Sequence, residues 1–491
     1  MRRLAFGCGW LQAVDWLPTS KRGEAEGYDR PQVGARIIGE GMQDIKQVRF
    51  EALAAYCRQP GARIAAEEVR WLEAYDEEVL IVVIRDVTDG DYSAMLLARD
   101  LKERYRWVEM TKFFETVDEA LAAAPELVEK IHADFGSQRA QGDEKGRPIE
   151  FFTPVVATEK LNRDFATISS LEGYSPALEL MKPMMRWYED ADGNFVEQFQ
   201  TTGFDARLWE LYLFAALVEA GYIFDKTFAM PDFCAQSAFG QLCIEATTVN
   251  PSRTPSGELV QPPPLDTKEQ IEAFQRQYMP IRYAGPLTTK LGKAYWEKEN
   301  VKGRPLVFAI QDFHAPNSMV MSRTALPIYL YGMVWDWQNA EGELVISPKK
   351  IETHVWGQKT VASGFFAFPG AENISAVISN ASATISKFNR MGVLAGFGSK
   401  RVHMIREGTA ANPEPNSESP AIFVHDVNSP CYSETWIEGM DVFHNPNATH
   451  PLDPVMLPGA AHHSLREDGQ LVSRLPEWQP FGSVTRISIG D

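Results

Sequence analysis

The sequence lacks the features that mark several large protein classes. No apolar run reaches the roughly 18 residues that a membrane-spanning helix needs, so we expect no transmembrane segment. The five cysteines are widely spaced and form no CxxC pair, which argues against a disulfide framework and a zinc site. A short apolar stretch follows Arg2 and Arg3 but is broken by Asp15, which makes a poor signal peptide. We therefore expect a cytoplasmic protein.

The sequence also has fewer basic than acidic residues. The chain has 48 lysine and arginine residues against 66 acidic residues, for a formal net charge of −18. A protein that binds nucleic acid usually presents a basic surface, so the overall charge argues against such a partner. Residues 280–310 differ, because they hold six basic side chains and two acidic ones. The basic residues are Arg282, Lys290, Lys293, Lys298, Lys302 and Arg304, and the acidic ones are Glu297 and Glu299. This local balance weakens the objection without removing it.

The length and the pattern of the chain divide it into three regions. A chain of 491 residues is too long for one ordinary core. A polar stretch over residues 136–147 ends the first region, and short strands with Gly- and Pro-rich loops replace the earlier pattern after Trp337. We therefore expect an N-terminal α+β domain of unknown role at 1–147, a central domain at 148–340 and a β- and loop-rich extension at 341–491.

The first region carries clear local signals. The apolar run VLIVVI at residues 79–84 predicts a buried strand, and helices are expected at 64–75 and 117–135. The acidic segment 86–91 lacks the alternation and the distal glutamate of a calcium loop, so a hairpin turn is the better interpretation.

The central region brings acidic side chains into a defined order. Residues 206–220 predict a helix on which Glu210 is in phase with apolar residues, so its carboxylate points into the protein. Two strands are expected next, at 222–229 and 242–250, with Asp232 between them. Because side chains alternate along a strand, Glu245 lies on the face where Asp232 can meet it across a hairpin. Converging carboxylates suit a hard cation such as Mg²⁺ or Mn²⁺.

Each acid also has a plain structural interpretation. Asp232 follows a proline in a turn, Glu245 could lie on a half-exposed strand face, and Glu210 could pair with Arg207. The three acids together, in this order, favour the metal site.

The order helix with Glu210, then Pro231-Asp232, then the acidic strand with Glu245, then a helix and an apolar strand resembles the PD-(D/E)XK nuclease superfamily. The resemblance covers about a fifth of the chain. It implies an α/β fold with a mixed sheet flanked by helices, as in restriction endonucleases, here with N-terminal α+β and C-terminal β-rich additions. It also implies that Asp232 and Glu245 are metal ligands and that Glu210 is the auxiliary acid of the helix.

One residue departs from the family pattern. The lysine of the Glu-x-Lys signature, which positions the attacking water and balances charge in the transition state, is replaced by Thr247. The helix expected at 285–298 offers Lys290 and Lys293, and Lys290 falls at the edge of its buried stripe. We therefore predict Lys290 as a migrated catalytic lysine; the alternative is an ordinary surface lysine.

Two further groups of polar residues are weaker candidates. The strand expected at 304–313 ends near Gln311, Asp312 and His314, which could line the same cleft. A C-terminal loop holds four possible ligands for zinc or iron, but their spacing matches no helical motif. These residues are Asp441, His444, His450 and Asp453. The adjacent pair His462 and His463 is expected in solvent.

The sequence thus favours a Mg²⁺- or Mn²⁺-dependent nuclease, with DNA as the expected substrate, Asp232, Glu245, Glu210 and Lys290 as site residues, and no membrane partner. Two alternatives stay open. The first is a non-catalytic relative of the same fold that binds nucleic acid, and the second is a structural or interaction protein whose acids pair with basic side chains.

Overall fold

The computed structural model describes residues 41–59, 61–133, 139–188, 193–316 and 318–490. The N-terminal features around Arg2, Arg3 and Asp15 lie outside these residues. No described helix combines the length and the apolar character that a membrane span requires.

The N-terminal region folds around an antiparallel sheet with the order β1-β2-β3-β4-β5. Its elements are β1 (Met42–Asp44), α1 (Gln47–Ala54), α2 (Ala62–Ala65), β2 (Ala66–Ala74), β3 (Val79–Asp86), β4 (Tyr92–Arg99), β5 (Tyr105–Met110), α3 (Val117–Ala122) and α4 (Ala124–Ala133). The predicted buried strand is β3, in the centre of the sheet, and the acidic segment after it is the turn into β4. A capping box of Thr116 and Glu119 begins α3.

The helix predicted at 64–75 is wrong, because most of this segment is the strand β2. Glutamate, alanine and leucine favour a helix locally, but β2 pairs with β1 on one side and with the buried β3 on the other. Leu72 and Ala74, which share one face of β2, are completely buried and pack with residues of β3 and α3 in the core of this region. Pairing with β3 therefore overrides the local preference.

The central region supplies helices and the first half of a large sheet. Its elements are α5 (Arg163–Ser170), α6 (Ser175–Trp187), α7 (Phe195–Gln200), α8 (Phe204–Glu219), β6 (Ile223–Phe224), β7 (Phe233–Ser237), β8 (Gly240–Val249), α9 (Lys268–Ala273), α10 (Met279–Leu291), β9 (Leu306–Asp312), α11 (Ser318–Ser322) and α12 (Ala325–Tyr331). A π-helical turn at Phe274–Tyr278 joins α9 to α10. The strand predicted at 222–229 shrinks to β6, and β7, which was not predicted as a strand, is the hairpin partner of β8.

The C-terminal region continues the same sheet. Its elements are β10 (Met333–Ala340), β11 (Glu343–Lys350), β12 (Thr353–Trp356), β13 (Lys359–Ala362), β14 (Ala376–Asn380), α13 (Ile385–Leu394), β15 (Val402–Ala410), β16 (Ala421–Asp426), β17 (Met440–His444), β18 (Ala461–Leu465), β19 (Leu471–Arg474) and β20 (Pro480–Ile489). Eight strands form one sheet in the order β19-β18-β17-β14-β9-β8-β7-β6, and β15, β16 and β20 form a separate one. The hairpin β10–β11 and the large sheet both cross the predicted boundary at 340/341.

The protein is therefore of mixed α/β type, with a mixed eight-stranded sheet that carries helices on both faces. In β8, Leu242, Ile244 and Ala246 pack in one core with α8. The alternate residues Cys243 and Val249 pack in a second core with α10. Because side chains alternate, Glu245 belongs to the α10 face, whereas Glu210 comes from the helix on the other face.

Candidate metal centre

The hairpin β7–β8 places Asp232 opposite Glu245. Phe233 pairs with Ile244 in the register of the two strands, so the preceding residue Asp232 lies opposite the following residue Glu245. The Ala246 amide donates a hydrogen bond of 2.7 Å to Oδ2 of Asp232. The register thus sets the two residues opposite each other across a hairpin, in which β7 rather than the longer predicted strand is the partner of β8.

Glu245 is a buried carboxylate: one of its oxygens accepts two hydrogen bonds, and the other has no partner among the described residues. The residue is 3% exposed, and its Oε1 accepts hydrogen bonds from Nζ of Lys290 and, at 2.5 Å, from the hydroxyl of Tyr295. Within the part of the chain that the structure describes, Oε2 is buried and has no hydrogen-bond partner. A buried carboxylate oxygen without a protein partner is costly and rare, so Oε2 indicates a position where an ion or a water molecule can bind.

Lys290 reaches this carboxylate from the last turn of α10. The helix begins six residues earlier than the sequence predicts, since a proline such as Pro280 is tolerated in the first turn of a helix. It ends at Leu291, because the chain turns at Gly292. Lys293 therefore lies beyond the helix, where its Nζ is 5.9 Å from the centre of the Tyr295 ring. Of the two lysines considered, Lys290 is the one that meets the predicted site, while Thr247 remains in the position of the missing lysine.

Glu210 lies close to these acids but has partners of its own. Its Oε2 accepts hydrogen bonds from Arg207 at 2.7 Å and from the Tyr188 hydroxyl at 3.1 Å. Burial raises the pKa of Glu210, although Arg207 and Tyr188 act in the opposite direction. The structural alternative, pairing with Arg207, therefore describes the observed contacts of this residue.

The three predicted ligands do not form a complete cage. Among the described residues, one group of three acids brings ligand atoms within 4.8 Å of one another, and it consists of Asp100, Asp143 and Glu144. Two of its acids, Asp100 and Asp143, form ion pairs with Arg104 and Arg106, at 2.7 and 3.1 Å for the shorter ones, and Glu144 accepts hydrogen bonds from backbone amides. At the predicted site the candidate ligands reduce to the pair Asp232 and Glu245, with Glu210 behind them.

A small cleft opens beside Asp232. Its volume is about 80 Å³, and its walls include Tyr188, Arg207, Glu210, Phe228 and Asp232. Loss of hydration raises the pKa of Asp232 well above its usual range, and the negative charges of Glu245 and Glu210 raise it further. The residue as a whole is nevertheless open to solvent.

The weaker candidates occupy other places. Asp312 accepts a hydrogen bond of 2.8 Å from Nδ1 of His314 and both are buried, while Gln311 bonds to Asn380. None of these three residues lines the cleft beside Asp232.

The C-terminal residues do not gather around one point. Asp441 forms an ion pair with Arg323 at 2.6 Å and contacts His463 at 3.0 Å, whereas His444 contacts His462 at 2.9 Å. Asp453 caps a short helix, and the His450 carbonyl accepts a bond from Ser375. The expectation that His462 and His463 lie in solvent is wrong, because both are buried in β18.

Two tyrosines of the site were missed in the sequence. Tyr295 lies within the helix predicted at 285–298 but in the structure follows α10 in a short 3-10 helix, and Tyr188 follows α6, far from Glu210 in sequence. A buried tyrosine needs a partner for its hydroxyl, which is a weak signal, and the sequence does not show which acid supplies it.

The Tyr295→Phe substitution tests how strongly Tyr295 holds Glu245. We expect the free energy of unfolding to fall by about 1.5–3 kcal/mol, the range for a hydrogen bond to a charged group, because Oε1 of the buried carboxylate loses one donor. Urea denaturation of wild type and variant measures it. A loss below about 0.5 kcal/mol, on the order of a neutral surface change, would contradict the bond.

Comparison with known proteins adds no relative to this picture: no protein-family model, curated protein or solved structure matches the chain.

Proposed function

We propose that the protein is a divalent-metal-dependent phosphodiesterase that hydrolyses nucleic acid, with DNA as the expected substrate. The observation that carries the proposal is the bare, buried Oε2 of Glu245, on a carboxylate that lies opposite Asp232 and whose other oxygen contacts Lys290. This combination of two acids and one lysine is the set that the resemblance to the PD-(D/E)XK nucleases implies.

The order of the elements supports the same proposal. Helix α8 precedes the three antiparallel strands β6, β7 and β8, and α9 and α10 then lead to β9, which runs parallel to β8. These four strands are neighbours in the sheet. This order supports the resemblance, which would put Asp232 directly before the second strand and Glu245 on the third.

The charges of the site leave room for a cation. Three acids, Glu210, Asp232 and Glu245, meet two bases, Arg207 and Lys290, so the ionised site carries 2 − 3 = −1. Asp232 forms no ion pair within the described residues, and loss of hydration and the negative charges of Glu245 and Glu210 raise its pKa. Hard carboxylate oxygens of this kind fit Mg²⁺ or Mn²⁺.

Each residue then has a role in the reaction. Asp232 and Glu245 would hold the ion, which when bound makes water a stronger nucleophile and stabilises charge on a phosphoryl oxygen. Lys290 orients the Glu245 carboxylate and brings a positive charge to the place where the phosphate becomes more negative. Glu210, fixed by Arg207 and Tyr188, is the candidate for an accessory ligand through water.

The contact between Lys290 and Glu245 favours a second candidate function. In a non-catalytic relative, this ion pair would replace the metal and the surface would only bind nucleic acid. In a purely structural protein the buried acids would be paired, as Glu210 is with Arg207 and Glu245 with Lys290. Asp232 has no ion-pair partner among the described residues, and in this interpretation the Ala246 amide and solvent would satisfy its carboxylate.

A cleavage assay separates these functions. Purified protein is incubated with labelled single-stranded and duplex DNA and with RNA, in Mg²⁺, in Mn²⁺ and in EDTA. We expect cleavage in the presence of either ion, loss of cleavage in Asp232→Asn, and full activity in Glu467→Gln, an acid-to-amide change at an exposed position between β18 and β19. Cleavage that persists in EDTA or in Asp232→Asn would overturn the proposal.

The pH dependence of stability tests the charge crowding at Asp232. An acid whose pKa is higher in the folded state favours folding while it is protonated, so its contribution disappears as the pH rises through that pKa. We expect the metal-free protein to lose stability as the pH rises from about 3.8, the ordinary value for aspartate, and Mn²⁺ to restore it. Urea denaturation at a series of pH values from mildly acidic to neutral checks this. Asp232→Asn should show a shallower loss; an identical pH profile for the variant would contradict the account.

A further inference from the structure

Two surface segments flank the candidate centre and differ in character. The first, residues 225–230, is exposed along its length and includes Phe228, 45% exposed, and Met230, 48% exposed. Phe228 also lines the cleft beside Asp232. Large apolar side chains so exposed next to a polar site indicate a contact surface.

The second segment, residues 292–304, is basic. It contains four basic residues and two acidic ones, a formal charge of 4 − 2 = +2 in a chain of net charge −18. Lys293 and Lys302 are exposed, whereas Lys298 and Arg304 are half-buried. This is the local positive balance seen in the sequence, now placed beside the site.

Hydrogen bonds fix the two segments to each other and to the acids. Nδ2 of Asn300 donates a bond of 3.0 Å to the Met230 carbonyl, and the hydroxyl of Tyr295 contacts Glu245. The two segments therefore contact each other, and both reach the acids: residues 225–230 through the cleft beside Asp232 and the basic segment through Tyr295.

From this juxtaposition we infer that the substrate is a single nucleic-acid strand, or an unpaired end, rather than a continuous duplex. Lys293 and Lys302 contact the phosphates of one strand, and Phe228 and Met230 contact its unstacked bases. Aromatic platforms beside a narrow basic track are how proteins bind single strands without reading sequence. A duplex keeps its bases stacked inside and presents two charged strands, which so small a basic segment in an acidic protein does not match.

This inference rests on the proposed function for its biological meaning, but binding tests it separately. The probe is a fluorescein-labelled DNA strand of mixed sequence, about 20 nucleotides long so that it exceeds the site size of a single-strand binding groove. It is used alone or annealed to its complement, and titrated by fluorescence anisotropy in EDTA. We expect the single strand to bind at least about 10-fold more tightly than the duplex. Phe228→Ala should weaken single-strand binding by about 5- to 100-fold, the effect of losing one stacked base.

Matched variants elsewhere on the protein test whether the loss of any exposed phenylalanine or lysine side chain weakens binding. Phe239, 53% exposed, lies at the far end of the β7–β8 hairpin, so Phe239→Ala should bind as wild type does. The pair Lys293→Gln and Lys302→Gln should weaken binding and reduce its salt dependence, whereas Lys112→Gln, an exposed lysine of the N-terminal region, should change neither.

The outcomes separate this inference from the nuclease itself. Suppose that single strand and duplex are bound and cleaved equally well, that Phe228→Ala changes neither, and that Asp232→Asn abolishes cleavage. This result would keep the nuclease and overturn the inference. Single-strand binding that depends on Phe228, without cleavage under any condition, would keep the binding surface and overturn the nuclease. A dimer in solution that dissociates in Phe228→Ala would show that a second copy covers this segment, and would also overturn the inference.

Discussion

Replacing Glu245 by glutamine is expected to lower the rate of nucleic-acid cleavage at least about 100-fold. Removal of a group that merely orients a metal ligand costs about 10- to 100-fold, and Glu245 is predicted to be a ligand itself. The amide keeps the size of the side chain but removes the negative charge and one carboxylate oxygen. In the wild-type protein, Oε2 of this carboxylate has no hydrogen-bond partner among the described residues.

The fold should survive this substitution, which makes the activity loss interpretable. Glutamine retains an oxygen for the Tyr295 hydroxyl, and Lys290, with a side chain 19% exposed, can turn toward water. Unfolding in urea should therefore change little in the absence of metal. Glu467→Gln, the same substitution at an exposed position between β18 and β19, serves as the control, and a Glu245→Gln variant that cleaves at the wild-type rate would contradict the assignment.

Replacing Lys290 by methionine is expected to destabilise the metal-free protein by about 3 kcal/mol, the lower end of the cost of leaving one member of a buried ion pair alone. The Glu245 side chain is 4% exposed and would lose its cation, while methionine keeps most of the apolar length of lysine. The same variant should cleave nucleic acid about 100-fold more slowly, since the charge that stabilises the transition state is gone.

The effect of divalent cations on the stability of Lys290→Met distinguishes a metal site from a structural ion pair. If Oε2 of Glu245 helps to bind a cation, Mn²⁺ supplies the missing positive charge and should stabilise Lys290→Met more than it stabilises wild type. Lys290→Arg should retain most of the stability. Equal stabilisation of both proteins by Mn²⁺, or a Lys290→Met variant with full activity, would show that the lysine is only a structural partner.

Local patterns were enough to predict the elements that carry the site. The helix with Glu210, the strand with Glu245, the turn after β3 and the buried β9 all follow from apolar periodicity, and the structure has them within a few residues. Lys290 was also reached by its phase on a helix. These features depend on near neighbours in sequence, which a single chain shows.

The rest depends on distant parts of the chain. Strand β2 is a strand because it pairs with β3. The sheet continues from β9 through β14, β17 and β18, and the pairing of β14 with β9 and with β17 joins segments that are far apart in sequence and leave no local signal.

The partners of the acids depend on the same distant packing. Tyr188, 22 residues before Glu210 in sequence, and Tyr295, 50 residues after Glu245, reach the acids only through the packing of helices on the sheet. For that reason the sequence did not show how Glu210 is placed: it comes from the helix on the opposite face of the sheet and is hydrogen-bonded to Arg207.

The central claim is that Asp232 and Glu245 bind one divalent cation. The most direct measurement is anomalous X-ray scattering from crystals of the protein soaked in Mn²⁺. The account predicts a peak in contact with carboxylate oxygens of both residues, which disappears in Glu245→Gln. A peak at Asp100, Asp143 and Glu144 alone, or no peak beside Glu245, would contradict it.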